Sequence, residues 1–201
     1  KIIVIGGAGT IGSNYIKQIL KFKPKKLTVV DINENGLTEL TRDLRSSKLL
    51  DYNPDYITYP VNLLSTTFEK IFNTEIWHVV ANFSAHKHVR SEKDVISVEA
   101  LIKNNVFGAI KLLNLCELNP PKFFFSVSTD KAANPVNIMG ASKSLMERLI
   151  ISKKQQFRVS TARFANVAFS NGSLLDGFIY RLQKHQPLSC PSDIKRFFVN
   201  P

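Results

Sequence analysis

Cysteine is close to absent. Cys116 and Cys190 are the only two in 201 residues, in helical and loop contexts without a metal-ligand spacing. Reduced thiols in a cytoplasmic protein are the expectation. No apolar run approaches the length that spans a bilayer, and no secretory signal pattern is present, so no membrane contact is expected from this segment. The sequence starts at Lys1 directly on a strand pattern, so an upstream targeting or membrane segment would lie outside it. No internal repeat and no low-complexity linker divides the chain, which excludes solenoid architectures. Carboxylates are also scarce: 16 Asp and Glu against 27 Lys and Arg leave a net charge of +11. Such an excess raises a nucleic-acid partner. The basic residues, however, are scattered over helix faces and turns (Lys21, Lys23, Lys25, Lys26, Lys111, Lys153, Lys154), with no aromatic-interleaved basic motif. A polyanionic small substrate and a lysine-rich surface are expected, and no nucleic acid.

What the chain does have begins with a glycine loop. Gly6-Gly7-Ala8-Gly9-Thr10-Ile11-Gly12 follows the β-branched run Ile2-Ile3-Val4-Ile5 and opens a helical pattern at Tyr15, Ile16, Ile19 and Leu20. Glycines at 6, 9 and 12 suit a tight turn, a backbone close to a pyrophosphate and close helix–strand packing. The helix start then supplies N–H groups and a positive dipole end to the anion. Alone the pattern says little; its setting makes it informative. Leu27-Thr28-Val29-Val30 is a second strand, ending at Asp31 about twenty residues on. A carboxylate there accepts ribose hydroxyls and repels a 2′-phosphate, so NAD is favoured over NADP.

A second informative stretch is Ser128-Thr129-Asp130-Lys131, followed by Met139-Gly140-Ala141-Ser142-Lys143. The run Lys122-Phe123-Phe124-Phe125-Ser126-Val127 before it reads as a buried strand. Leu145, Met146, Leu149 and Ile150 after it sit at helical spacing. Ionisable residues at the carboxyl end of a strand, ahead of a helix, stand where open α/β sheets put their chemistry. An isolated Asp-Lys pair would read as a solvated loop. Phe123, Phe124, Phe125, Phe197 and Phe198 are expected to pack in the core or on strands. His86, Lys87 and His88 cluster after the fourth strand, but no carboxylate or cysteine completes a metal spacing.

Strand patterns at 2–6, 27–31, 56–60, 76–82, 122–128 and 158–164 alternate with helical patterns at 10–22, 35–47, 66–72, 94–118 and 138–154. The alternation predicts a doubly wound parallel α/β sheet of the Rossmann type, in strand order 3-2-1-4-5-6. Residues 1–165 form the dinucleotide-binding domain. After Asn166 the pattern loosens, and 166–201 reads as the beginning of a substrate-binding region.

Taken together these motifs resemble the extended short-chain dehydrogenase/reductase family, and within it the polysaccharide-biosynthesis branch of UDP-N-acetylglucosamine 4,6-dehydratases. The residues that carry the resemblance are GGAGTIG at 6–12, SAHKHVRSEKD at 84–94, NNVFGA at 104–109, STDKAANPVNIMGASK at 128–143, RFANVAFSNGS at 163–173 and KRFF at 195–198. The resemblance implies the following roles. Gly6, Gly9, Thr10, Ile11, Gly12, Asp31, Asn62, Phe83, Ser84, Ala85, Asn105 and Lys143 contact or support the cofactor. Lys143 bonds the nicotinamide ribose, Thr129 stands beside the sugar's 4-OH, and Asp130 and Lys131 run the dehydration. Lys131 suits the C5 base if its pKa is lowered, and Asp130 suits the C6 acid if its pKa is raised. His86, Lys87, Asn166 and Arg196 match substrate contacts, Arg196 with the forked donors a diphosphate wants.

The family's usual tyrosine, four residues before the lysine, is Met139 here, and methionine moves no proton. A subgroup of the branch shares this arrangement. The alternatives to a dehydratase are a nucleotide-sugar epimerase and a dinucleotide-binding module without catalysis. The resemblance also implies a homodimer or a multiple of one, paired through helices 94–118 and 138–154. The contrary expectation is that Val98, Leu101, Ile102, Val106, Ile110 and Leu113 all pack on the parent sheet.

Overall fold

The run Ile2–Ile5 is buried along its whole length, as a central parallel strand covered on both faces requires, and it forms β1. This computed structural model describes residues 1–87, 92–190 and 195–200, in two compact units, Lys1–Arg163 and Phe164–Pro201. In the first unit β1 is joined by β2 (Lys26–Asp31), β3 (Asp55–Pro60), β4 (Val79–Asn82), β5 (Phe123–Thr129) and β6 (Arg158–Phe164). The sheet order is β3-β2-β1-β4-β5-β6, as the alternation predicts. Parallel register sets Ile2 beside Leu27 and Val79, Lys26 beside Asp55, and Val79 beside Phe123. All strand starts therefore share one edge of the sheet, and all strand ends the other.

Alternate residues of β1 feed two cores. Ile2 and Val4 pack with Ile16 and Leu20 of α1 (Thr10–Leu20) and with Leu37, Leu40 and Leu44 of α2 (Glu34–Ser46). Ile3 and Ile5 pack with Phe68 and Phe72 of α3 (Thr66–Phe72), and with side chains of two later helices. Those are Leu112 of α5 (Gly108–Leu118) and Met146 and Ile150 of α6 (Ile138–Ser152). Period-2 strands between helices on both faces give this layering directly.

Several bounds differ from the sequence pattern, each for a local reason. Helix α1 stops at Leu20 because Phe22 and Lys23 turn back on Ile19 and Leu20 through backbone bonds, with Lys23 at φ 51°. Strand β4 starts only at Val79, since the buried Trp77 indole donates to the Phe72 carbonyl at 2.8 Å and closes α3. The 94–118 pattern is not one α-helix. It is α4 (Val95–Ile102), a π turn (Lys103–Phe107) and α5, with Asn105 of the π turn 2% exposed. Phe124 is buried, but Phe123, first in its strand, lies half open beneath Arg158 at 5.4 Å. Phe197 is 84% exposed, so the expectation of a packed Phe197 fails: it precedes a two-residue strand that is itself exposed.

The second unit holds β7 (Asn166–Val167) paired in parallel with β8 (Phe198–Val199), and α7 (Leu174–Gln183), capped by the Ser173 hydroxyl. No helix among the described residues is long and apolar enough to cross a membrane.

Candidate functional site

The glycine loop closes the carboxyl end of β1. Gly6 has φ +75°, and a Cβ on it would lie 2.5 Å from the Ser84 nitrogen, so the loop after β4 rests on it. A Cβ on Gly12 would lie 2.4 Å from the Gly6 carbonyl oxygen, which is why α1 can start so close to the turn. At Gly9 the nearest atom to such a Cβ is 3.6 Å away, so the chain itself leaves that position open. No side chain caps α1 at Gly9, and no acidic residue stands in its first turn. The loop, with Thr10 and Ile11 in that turn, forms a cradle that fits a pyrophosphate.

Asp31 ends β2 beside this cradle. Its carboxylate accepts from the Ala8 amide at 2.9 Å and from the Asn33 amide at 3.0 Å, fixing loop and strand end together. Two of its roughly four lone-pair sites are thereby used, and the others can take a vicinal diol. Arg42, which could have welcomed a 2′-phosphate, is paired with Glu39 at 2.5 Å. Asn62 turns its Oδ1 to the Leu64 amide at 2.8 Å. The Phe83 ring is committed to packing, 5.0 Å from Tyr15 and 5.5 Å from Phe125. Only its backbone reaches the glycine loop. Asn82 accepts from both the Ser84 amide and the Ser84 hydroxyl, which shapes the turn that leads to Ala85.

Asn105 locks the next segment. It accepts from the His86 amide at 2.9 Å, and donates to the His86 carbonyl at 3.0 Å and to the Ser142 hydroxyl at 3.1 Å. One buried amide thus joins the loop after β4 to α6, and the π turn brings it inward; such turns recur at functional sites. Glu92 performs a similar task, its carboxylate accepting from the Met139 amide at 2.7 Å. His86 and Lys87 lie in this loop, whereas His88 lies outside the described residues. Among the described residues no His, Cys, Asp and Glu cluster could hold a metal.

At the end of β5, Asp130 Oδ1 accepts three bonds. They come from the Thr129 hydroxyl at 2.9 Å, the Lys131 amide at 2.9 Å and the Lys131 ammonium at 3.1 Å. Partial burial alone would push the carboxyl up, but the Thr129 and Lys131 bonds and the Lys131 charge outweigh it and hold the pKa below its usual value. The raised pKa expected of an acid at Asp130 is therefore not what this arrangement gives. Asp130 rests as a carboxylate.

Lys143 behaves differently. It is 3% exposed, with its ammonium against the Val127 carbonyl at 3.3 Å and the Met146 sulfur at 3.6 Å. Burial pulls its pKa down to about 8, opposed by the charge of Glu147. Glu147, one helical turn on, forms a fork with Arg163 of β6 at 3.0, 3.2 and 2.7 Å. Burial raises its carboxyl, but Arg163, Ser128 and Lys143 bring it below the usual range. The buried Ser128 hydroxyl closes no hydrogen bond of good geometry among the described residues, and lies near enough to the Glu147 carboxylate to favour its charge.

Contacts therefore bring Asp31, the glycine loop, the 83–86 segment and Asn105 to the carboxyl edge of one sheet, with the 129–131 block and Lys143 at the end of β5. Asn166 and Arg196 belong to the second unit. There Asn166 donates to the Phe197 carbonyl at 3.0 Å, and Arg196 is exposed. Sequence reasoning missed Glu92, Glu147 and Arg163. The i, i+4 spacing of Lys143 and Glu147 was the available signal.

A family model described as polysaccharide biosynthesis protein matches residues 2–200. An uncharacterized membrane protein of Methanocaldococcus jannaschii is 37% identical over 99% of this chain and 59% of its own length. A UDP-N-acetylglucosamine 4,6-dehydratase (inverting) of Campylobacter jejuni is 29% identical, again over 99% of this chain and 59% of its own. The chain thus spans a little over half the length of these relatives. The X-ray structure of Pen from Bacillus thuringiensis superposes with a TM-score of 0.85 at 25% identity, over 99% of this chain and 60% of that one.

Proposed function

The chain belongs to the polysaccharide biosynthesis protein family, an extended short-chain dehydrogenase/reductase branch, and on that premise we propose that it carries the cofactor site and acid–base groups of a nucleotide-sugar 4,6-dehydratase acting on UDP-N-acetylglucosamine. The observation that carries this reading is the hydrogen-bonded Thr129–Asp130–Lys131 group at the same strand end as the buried Lys143. A relative of this chain bears that activity in its name.

The cradle at 6–12 and the Asp31 carboxylate suit an adenine dinucleotide with a free 2′-hydroxyl, hence NAD. When bound, its nicotinamide supplies a hydride acceptor for C4 of the sugar and a donor for C6. Lys143 holds the nicotinamide ribose, and Asn105 keeps the 84–86 backbone in place beside it. The resting charge of Asp130 then has a use. Met139 cannot take the 4-OH proton, but the Thr129 hydroxyl already donates to Asp130. The proton passes from the 4-OH through Thr129 to the carboxylate, so Asp130 acquires the proton that it later delivers to the departing C6 hydroxyl. Lys131 is the group assigned to remove the C5 proton made acidic by the 4-keto group and to return one to C5 afterwards. Water is the only group lost, and the protons balance.

Lys87, His86, Asn166 and Arg196 are assigned to the nucleotide diphosphate and sugar, with 166–201 as the start of the substrate-binding part. Phe107 and Leu145 on the π turn and α6 remain half exposed, which supports pairing of two copies through these helices. A nucleotide-sugar substrate supports a reaction in the cytoplasm. The test is incubation of the full-length protein with UDP-N-acetylglucosamine and NAD, with products read by NMR. A 4-keto-6-deoxy sugar is expected. A 4-epimer alone would make it an epimerase, and cofactor binding without any product would make it a non-catalytic module.

A further inference from the structure

The opposite edge of the same sheet carries an unusual surface. Register places the starts of β1 to β5 side by side, so the turns that enter them all open there. Three of these approaches hold an exposed large apolar residue: Phe22 at 81% and Ile76 at 64% in turns, and Leu118 at 74% at the end of α5. Phe22 is not on a frayed end. Backbone bonds from Phe22 to Ile19 and from Lys23 to Leu20 fix the turn that presents it. The acids of this edge are mostly consumed. Glu75 takes Lys1 and Lys26, Asp55 takes Lys26 and Glu117 takes Lys153, leaving Asp51. Lys23, Lys25, Lys48, Lys122 and Lys154 are exposed and make no ion pair among the described residues.

We propose that this edge docks the protein on an anionic phospholipid surface, with Phe22, Ile76 and Leu118 entering the headgroup–acyl boundary and the lysines meeting lipid phosphates. Apolar tips ringed by lysine are the pattern an interface rewards, because each lysine keeps its ammonium among phosphates while its stem covers apolar area. A nucleic acid would satisfy the same lysines. It gains nothing from Ile76 and Leu118, however, since aliphatic side chains offer bases no stacking platform. Docking at the strand starts leaves the strand ends, with the glycine loop and the 129–131 block, directed away from the lipid.

The test is co-sedimentation of the 201-residue chain with vesicles of phosphatidylglycerol and phosphatidylcholine in equal parts, against phosphatidylcholine alone. Binding to the anionic vesicles only is expected. It should be lost in molar salt, where the screening length falls to about 3 Å. Lys23→Glu with Lys25→Glu should lower partitioning by about twenty-five-fold or more, at about fivefold per lysine lost. Lys122→Glu with Lys154→Glu, in other turns, should do the same and guards against a local folding defect. Phe22→Trp adds an exposed indole to the buried Trp77, and its emission should shift to the blue on anionic vesicles. Equal binding to neutral vesicles, full binding by both charge-reversed variants, an unshifted indole in the pelleted protein, or binding to duplex DNA without binding to vesicles would each overturn the proposal.

Discussion

The glycine loop and the end of β5 sit at the same edge of one sheet, yet they are built from different material. The loop is made of backbone: its fit depends on Cβ atoms that are missing at Gly6 and Gly12 and on a helix start that carries no side-chain cap at Gly9. The β5 site is made of side chains that set one another's charge. Asp130 is held ionised by Thr129 and Lys131, and Lys143 is pressed toward neutrality by burial. The backbone site tolerates no added side chain at Gly6 or Gly12, whereas a side-chain site tolerates isosteric change in shape and fails in protonation.

Substitutions should separate the two kinds of site. The largest effect belongs to the loop. Gly12→Val puts a side chain 2.4 Å from the Gly6 carbonyl. It should abolish dinucleotide binding by calorimetry and cost about 3 kcal/mol in thermal stability. Retained binding would remove the cradle from the assignment. Lys131→Met comes next. It should keep cofactor and sugar binding while losing C5 proton exchange with solvent by a factor of about 10² to 10⁴. Asp130→Asn, whose amide cannot accept the 4-OH proton, should slow both that exchange and release of the 6-deoxy product. Wild-type exchange in Lys131→Met would move the base elsewhere.

A pH experiment sharpens the contrast further. Lys143 has a folded pKa of about 8, below its unfolded value, so between these two values the unfolded state binds more protons. Stability should therefore rise as pH climbs from 8 toward 10, by up to about 3 kcal/mol. Denaturant titrations of Lys143→Met should show that rise removed; an unchanged profile would mean that the ammonium is solvated. The smallest effect is expected at Asp31, where side chain and backbone meet. Asp31→Ala frees the Ala8 amide and removes the diol acceptor. It should weaken NAD binding about tenfold to a hundredfold, the worth of bonds to a charged group.

The two sites were also unequally legible. Gly6, Gly9, Gly12 and Asp31 are readable because a turn and a strand end impose residue types at fixed spacing, and the alternation of strands and helices gave the sheet order with them. The charge state of the β5 site was not readable. A raised pKa at Asp130 is a fair expectation for an acid, but the neighbours that lower it are bonds of the folded chain. Glu147 carries no mark in the sequence beyond its i, i+4 spacing from Lys143. Its burial and its fork to Arg163 depend on β6 lying beside α6. Asn105 looked like one position in a long helix, and only the π turn and the tether to His86 show why it points inward.

The sequence by itself determined the doubly wound sheet, the cradle at its first turn and the residue types at the end of β5, because periodicity, glycine and strand-end acids act locally. Tertiary structure alone decided which carboxylates are ionised, which lysine is buried, and that Phe22, Ile76 and Leu118 share one edge with lysines that make no ion pair among the described residues. Those outcomes depend on solvent exposure and on partners distant in sequence, and a linear pattern carries neither.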